Sequence, residues 1–383
     1  MAVEWRIDDD TLARFESEQF DLASLCEDRA LATSEIFKPN DYYGGAQILK
    51  KYAGLAADRS LHAVIPHGVY LSDTWMWSDE RASLLPAALV FPAYREAVYR
   101  QQGKMAIPSA APFVYANLMV PEPFHRAGTI FFPVHSTHRL SAEIDHDGLA
   151  ERLTGFPQHL GPVSVMLYWR DYNMGAAEAY VSRGLRVISA GHMYDPHFLP
   201  RQAFLLKQHA HAVSNGMGSH IFYAVKAGCS VSLVDDEYTY SGDEAHLRDD
   251  SPSLSAERQA EVDRMKSVFE FPQEKVTDVQ MALAEYYLGA VHGRAPGELS
   301  DLFVWLEKVD RFGGIALLVD AGRRFCPDIA VRSVIFPRSV RRALHSVLRR
   351  IELAMRAGVE QTIRITRSVF PGLRDVSFRH RDD

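Results

Sequence analysis

The turn Ser214-Asn-Gly-Met-Gly-Ser-His220 lies between an apolar segment, His211 to Ser214, and a stretch of helical pattern that starts at Ser219. A helix start presents unpaired backbone N–H groups and a partial positive charge, so a turn in that place attracts an anion. Gly216 and Gly218 let the backbone bend and come close to a ligand. Ser214, Asn215 and Ser219 can cap the helix or bond phosphate oxygens, and His220 closes the turn. The chemistry these residues could do is to hold a phosphate, such as that of a nucleotide. An ordinary capped helix start has the same pattern.

Four more polar clusters end apolar segments: His67-Gly68, His135-Ser136-Thr137-His138, Tyr168-Trp169-Arg170-Asp171 and Gly191-His192-Met193-Tyr194-Asp195. His67 suits a general base, because imidazole titrates near neutrality. Asp41 and Asp73 compete for that role but are common turn residues. Arg170 offers a planar fork to phosphate, or an ion pair to Asp171. Ser136 and Thr137 could donate to phosphate or sugar, and His192 and Asp195 could meet the base or ribose or simply fix their loop. The His135/His138 spacing lies in a loop with no cysteine or paired carboxylate beside it, so a metal is not expected.

The elements that must position these groups are short apolar strands alternating with helices. Strands are expected at Leu61–Pro66, Ala87–Phe91, Met105–Ile107, Thr129–Val134, Val163–Tyr168, Arg186–Ser189, near His211–Ser214 and at Val231–Val234. Helices are expected between them, at Asp147–Thr154, Gly175–Arg183, Phe198–His209 and from Ser219, and later at Thr277–Leu288 and Glu298–Val309. This alternation predicts an α/β protein with a parallel sheet, and parallel strands bring the last four polar clusters to one sheet edge. The stretch Pro108–Pro123, with four prolines, reads as a linker, and Asp236–Arg258 as a polar loop. The expected division is 1–125 as a first Rossmann-like domain, 126–255 as a second that carries the nucleotide, and 256–383 as a helical C-terminal extension.

The chain has 383 residues, 47% hydrophobic and 24% charged, the composition of a folded water-soluble protein. No apolar run is long enough to cross a membrane, and Met1 to Asp10 lacks a signal-peptide core. The cysteines Cys26, Cys229 and Cys326 are odd in number and far apart, which suggests a reducing, cytoplasmic setting without disulfides. The net charge of −7 divides unevenly: residues 321–383 hold 14 Arg, no Lys and 6 acidic residues, a balance of +8, against −15 elsewhere. Within that tail Val340, Leu344, Val347, Leu348, Ile351 and Met355 form an apolar helical face among arginines. Such a helix could lie on an anionic membrane surface, at the inner membrane face, or pack on the body. Aromatic residues are sparse there and no nucleic acid is expected as a partner.

Walker A, Gly-x-Gly-x-x-Gly, Gly-x-Ser-x-Gly and Cys-x-x-Cys patterns are all missing, which argues against P-loop kinases, NAD dehydrogenases, α/β-hydrolases and thiolate zinc enzymes. The stretch from Ile130 to Gly289 instead resembles the GT-B glycosyltransferases, and among them the glycosyltransferase-like proteins of bacterial surface-polysaccharide pathways. The resemblance rests on Phe132-Pro-Val-His-Ser-Thr137, Leu167-Tyr-Trp-Arg-Asp171, Ala190-Gly-His192 with Asp195 and Phe198-Leu199, Ser214-Asn-Gly-Met-Gly-Ser219 with Tyr223, and Tyr287-Leu-Gly289. It implies two Rossmann-like domains, transfer of a sugar from a nucleotide-sugar donor to a glycan or lipid-linked acceptor, and no metal or other cofactor. His67 would then face the acceptor, while Arg170 and the helix from Ser219 would stabilise the leaving phosphate. The carboxylate that many such enzymes carry after the glycine turn is missing, and His220 and Tyr223 occupy that region. This departure leaves the donor open and fits a CMP-linked acidic sugar. A nucleotide-sugar epimerase and a non-catalytic glycan-binding or assembly protein are the alternatives.

Overall fold

The structure is a computed structural model that describes residues 5–137, 139–234, 237–244, 246–247 and 254–312. The basic tail and its amphipathic pattern lie outside the described residues. Two short parallel strands open the chain's sheet structure, β1 (Ala87–Val90) and β2 (Met105–Pro108). A single bridge from Val64 to Ala88 extends the pair. The strand expected at Leu61–Pro66 is therefore only a one-residue contact. Leu61 to Pro66 is buried, but its backbone serves the side chains of Glu35 and Asn40, which accept from Leu61 N–H and Ile65 N–H.

The main sheet has five parallel strands: β3 (Thr129–Phe132), β5 (Val163–Met166), β6 (Arg186–Ile188), β7 (His211–Ser214) and β8 (Ser230–Leu233). Their order across the sheet is β6-β5-β3-β7-β8. The register sets Thr129 of β3 beside Val163 of β5 on one side and His211 of β7 on the other. Every residue of β3 is buried, as expected of a central parallel strand covered on both faces. An antiparallel pair, β4 (Leu140–Glu143) with β9 (Thr239–Gly242), stands apart from this sheet. The segment from Asp236 to Arg258, expected to be loop, thus contributes β9 and the start of the helix Ala256–Ser267.

The proline-rich stretch is not a linker. Residues Pro112–Met119 form a helix in which only Leu118 is exposed. Pro112 stands at its first turn, where a missing N–H costs nothing and the fixed φ favours helix. The run Phe113-Val-Tyr-Ala is apolar on every side because helices surround it. The helix packs on Gly45–Ala53, on Phe198–Gln208 and on Ser219–Ala227, where Phe113 stacks on Tyr223 with centroids 4.1 Å apart. A single apolar cluster therefore runs from Ile7 and Phe15 through Phe113 and Ile130 to Leu306. The helices after residue 255 also belong to it. Leu233 N–H donates to Phe269 O, Gln280 Nε2 donates to Val231 O, and the helix Asp278–Tyr287 covers Ser219–Ala227.

Candidate functional site

Strand order decides where a site can form. From β3 the chain passes to β5 and β6 on one side, then returns to β7 and β8 on the other. The loops after β3 and β7 therefore diverge, and in open parallel sheets a ligand crevice opens at that point. A cavity of about 300 Å³ lies there. Pro133, Val134 and His135 line it from beyond β3, Leu167 and Tyr168 from beyond β5, Ala190 from beyond β6, and Gly216 to His220 from beyond β7. Tyr238 and Tyr240, from the segment of β9, complete this side. The opposite wall is the loop His67-Gly-Val-Tyr70 together with Tyr43.

The two walls are joined directly. Val69 N–H donates to Ser219 Oγ at 2.8 Å. Gly68 permits this approach, since a Cβ there would stand 2.9 Å from Ser219 Oγ. Tyr43 holds a left-handed backbone, φ +58°, a conformation that costs about 1–3 kcal/mol for a residue with a side chain. Its N–H donates to Met193 O at 2.6 Å and its hydroxyl lies 3.3 Å from that of Tyr168, so the strained residue bridges to the main sheet.

The helix that faces the cavity starts from a glycine. Gly218 is the N-cap of Ser219–Ala227, and among the described residues no side-chain cap bonds this end. Ser219 is the first helical residue and lines the cavity. Its hydroxyl also supports Tyr223, whose own pKa burial raises strongly. His220 stacks on Phe132 at 5.1 Å, and its Nε2 lies 2.9 Å from Ser214 Oγ. Burial, with the neighbouring His135 second, pushes His220 down to about 3, so its ring is neutral near pH 7. The lining contains no Lys, Arg, Asp or Glu among the described residues. Its polar groups are imidazoles, phenols, the Ser219 hydroxyl, the Gln202 amide and backbone groups.

Several residues expected to meet a ligand are engaged with neighbouring loops. Ser214 Oγ, wholly buried, meets Phe132 O at 2.8 Å and accepts from Gly216 N–H. Asn215 Oδ1 accepts from Val134 N–H at 2.6 Å, so both residues tie the β7 loop to the β3 loop. Gly216 lines the cavity, and a Cβ there would strike Val134 at 2.4 Å. Ser136 is buried, its N–H on the Asp171 carboxylate and its Oγ accepting from Ala142 N–H. Thr137 Oγ1 accepts from Arg139 and Leu140 N–H groups and shapes the turn into β4.

Arg170, His192 and Asp195 do not line the cavity. Arg170 is the second residue of the helix Trp169–Asn173 and half-buried, on the far side of Tyr168 in the chain. His192 is packed on Trp169 at 4.0 Å, accepts from Tyr194 N–H through Nδ1, and has Nε2 3.2 Å from Asp28 without hydrogen-bond geometry. Burial lowers its pKa, and Asp28 opposes this. Asp195 is paired with Arg201 at 3.1 Å and accepts from His197 N–H, which shapes its own loop. Of the competing bases, Asp41 is held by Thr33 and Gln47, and neither it nor Asp73 lines the cavity.

The sequence reading gave no ligand role to the tyrosines of the lining. Tyr43, Tyr70 and Tyr238 belong to no ligand motif, and Tyr168 and Tyr223 stand in quoted motifs without a stated part. His135 stands in a polar cluster and a quoted motif, and the one ligand role weighed for it is a metal, with His138. Among the described residues no group of three His, Cys, Asp or Glu could hold a metal ion, and no helix is long and apolar enough to cross a membrane. A scan against protein-family models gives no match, and a search of the curated proteins gives no significant one.

Proposed function

We propose that the protein is a glycosyltransferase whose nucleotide-sugar donor binds at the crossover edge of the main sheet. The observation that carries this reading is a helix start without a side-chain cap, opening on a cleft at the place where the strand order reverses. Such a helix start offers N–H groups and a positive dipole end to phosphate, without metal or side-chain cation. Phenol and imidazole rings suit a base or sugar ring on the same site. His67 stands on the wall opposite Ser219, where it would take the proton of an attacking acceptor hydroxyl. Arg170 has no part in this arrangement; stabilisation of the leaving phosphate falls to the helix start.

The acceptor would be a glycan or a lipid-linked glycan, and the setting bacterial cell-surface polysaccharide synthesis in the cytoplasm or at the inner membrane face. In this reading an acceptor half and a donor half, as in GT-B enzymes, would meet at the cavity. One observation favours a second reading. A lining without side-chain charge among the described residues also suits a glycan-binding or assembly protein, in which the cavity holds a neutral sugar. Incubation with nucleotide sugars and an acceptor mixture separates the two. The glycosyltransferase reading predicts acceptor-dependent nucleotide release, cut ~10²–10⁴-fold in His67→Ala with donor affinity nearly unchanged. Saccharide binding with no nucleotide release, whatever the donor, would favour the second.

A further inference from the structure

Glu80 lies on the short helix Ser78–Ala82 and is 1% exposed. Its carboxylate is enclosed by two phenols. Tyr99 Oη donates to Oε2 at 2.6 Å, and Tyr70 Oη donates to Oε1 at 3.1 Å. Burial raises the Glu80 pKa, and the two phenols with Arg95 and Lys104 oppose this. Arg95, also 1% exposed, lies over the Tyr70 and Tyr99 rings at 5.3 and 5.7 Å from their centroids. It donates to Ser72 O and Trp75 O, while its Nε and Nη2 have no hydrogen-bond partner among the described residues. A buried anion and cation are costly to keep in an apolar interior. This pair stands directly behind the cavity wall, because Tyr70 Oη also lies 3.3 Å from His67 Nδ1.

The hydrogen of Tyr70 orders this chain. A phenol has a single hydrogen to donate, and Tyr70 keeps it, since burial and then Glu80 raise its pKa well above the usual value. Two acceptors compete for that hydrogen. The Glu80 oxygen is the nearer, at 3.1 against 3.3 Å, and a carboxylate is the stronger acceptor. Tyr70 then turns only lone pairs toward His67, so Nδ1 must bring the hydrogen of that contact. We propose that Glu80, acting through Tyr70, fixes His67 as the Nδ1–H tautomer and so makes Nε2 the basic nitrogen of the imidazole on the cavity wall. Glu80 and Tyr70 are positioning residues. The rings of Tyr42, Tyr43 and Trp77, packed on the same imidazole at 5.0–5.9 Å, hold its plane. Use of Nε2 as a base toward a hydroxyl rests on the glycosyltransferase reading; the tautomer does not.

The test is the tautomer itself. Protein labelled with ¹⁵N at histidine gives ring spectra in which His67, one of 16 histidines, is identified by its loss in His67→Gln. At neutral pH the wild-type ring should show a protonated Nδ1 and a lone-pair Nε2. Tyr70→Phe keeps the ring and removes the oxygen, and should raise the Nε2–H share several-fold. Tyr99→Phe removes a donor to Glu80 without touching His67 and should leave the pattern as it was. Melting curves confirm that both variants fold. A wild-type ring protonated on Nε2, or a Tyr70→Phe spectrum identical to wild type, overturns the proposal. A protein with no transferase activity but the expected spectra would sink the functional reading alone.

Discussion

His220 shows how one residue's surroundings change its chemistry. A histidine after a glycine turn reads as part of a phosphate site. Enclosed against Phe132 and Ser214 it stays neutral, with its pKa pushed to about 3. The unfolded chain takes up this proton near pH 6.5, the folded one only near 3. His220 therefore costs stability as pH falls below about 6.5, and the loss levels off near 3. The slope is at most about 1.4 kcal/mol per pH unit, less to the extent that the ring edge meets the cavity. Denaturant titrations of wild type and His220→Gln between pH 7 and 4 should converge as pH falls; parallel curves would show a ring that titrates normally. The same lesson covers Ser214, Asn215, Ser136 and Thr137. Small polar residues after a strand were legible as a cluster, but their first duty is to satisfy the backbone of neighbouring loops. Glu80 was not legible at all, since a glutamate between Asp79 and Arg81 looks solvated and only tertiary packing buries it.

At the scale of elements, the alternation of apolar strands and helices from Thr129 to Leu233 was readable because each unit is local and strongly patterned. The segments around it were not. Leu61–Pro66 has strand composition, yet its polar backbone groups are met by side chains of Glu35 and Asn40. Pro112–Met119 has linker punctuation, yet its proline starts a helix and its apolar residues have helices on all sides. Phe113 decides between linker and core. It is wholly buried and stacks on Tyr223 behind the helix start of the site. Phe113→Ala should cost about 3–5 kcal/mol in urea unfolding, the range for a large side chain removed from a packed core. A loss under 0.5 kcal/mol would return the stretch to the role of a spacer.

For the whole molecule, one apolar cluster joins the N-terminal helices, the main sheet and the helices up to Val309. Calorimetry of the protein should accordingly show a single cooperative transition for this body, with calorimetric and van't Hoff enthalpies in agreement; two separated transitions would mean that the halves around the cavity fold independently. The cavity itself belongs to this scale, because no one element makes it. Its walls meet only when the loop at His67 reaches the helix start at Ser219, a contact between residues 150 positions apart in the chain. Composition and motif could place four of its loops on one edge but not the loop that closes it, and not the tyrosines that fill the lining.

Binding of a nucleotide at that contact is the measurement closest to the central claim. Melting temperature would be followed with UDP, GDP, CMP, ADP and their sugar conjugates, for wild type and for Ser219→Phe, which puts a ring where the two walls touch. A ligand at 100 times its Kd adds about 2.7 kcal/mol to stability, a shift of several degrees or less for a chain of this size. At least one nucleotide or nucleotide sugar should raise the melting temperature of wild type and fail to do so in Ser219→Phe. No shift with any of them, or the same shift in both proteins, would contradict a donor site at the start of this helix.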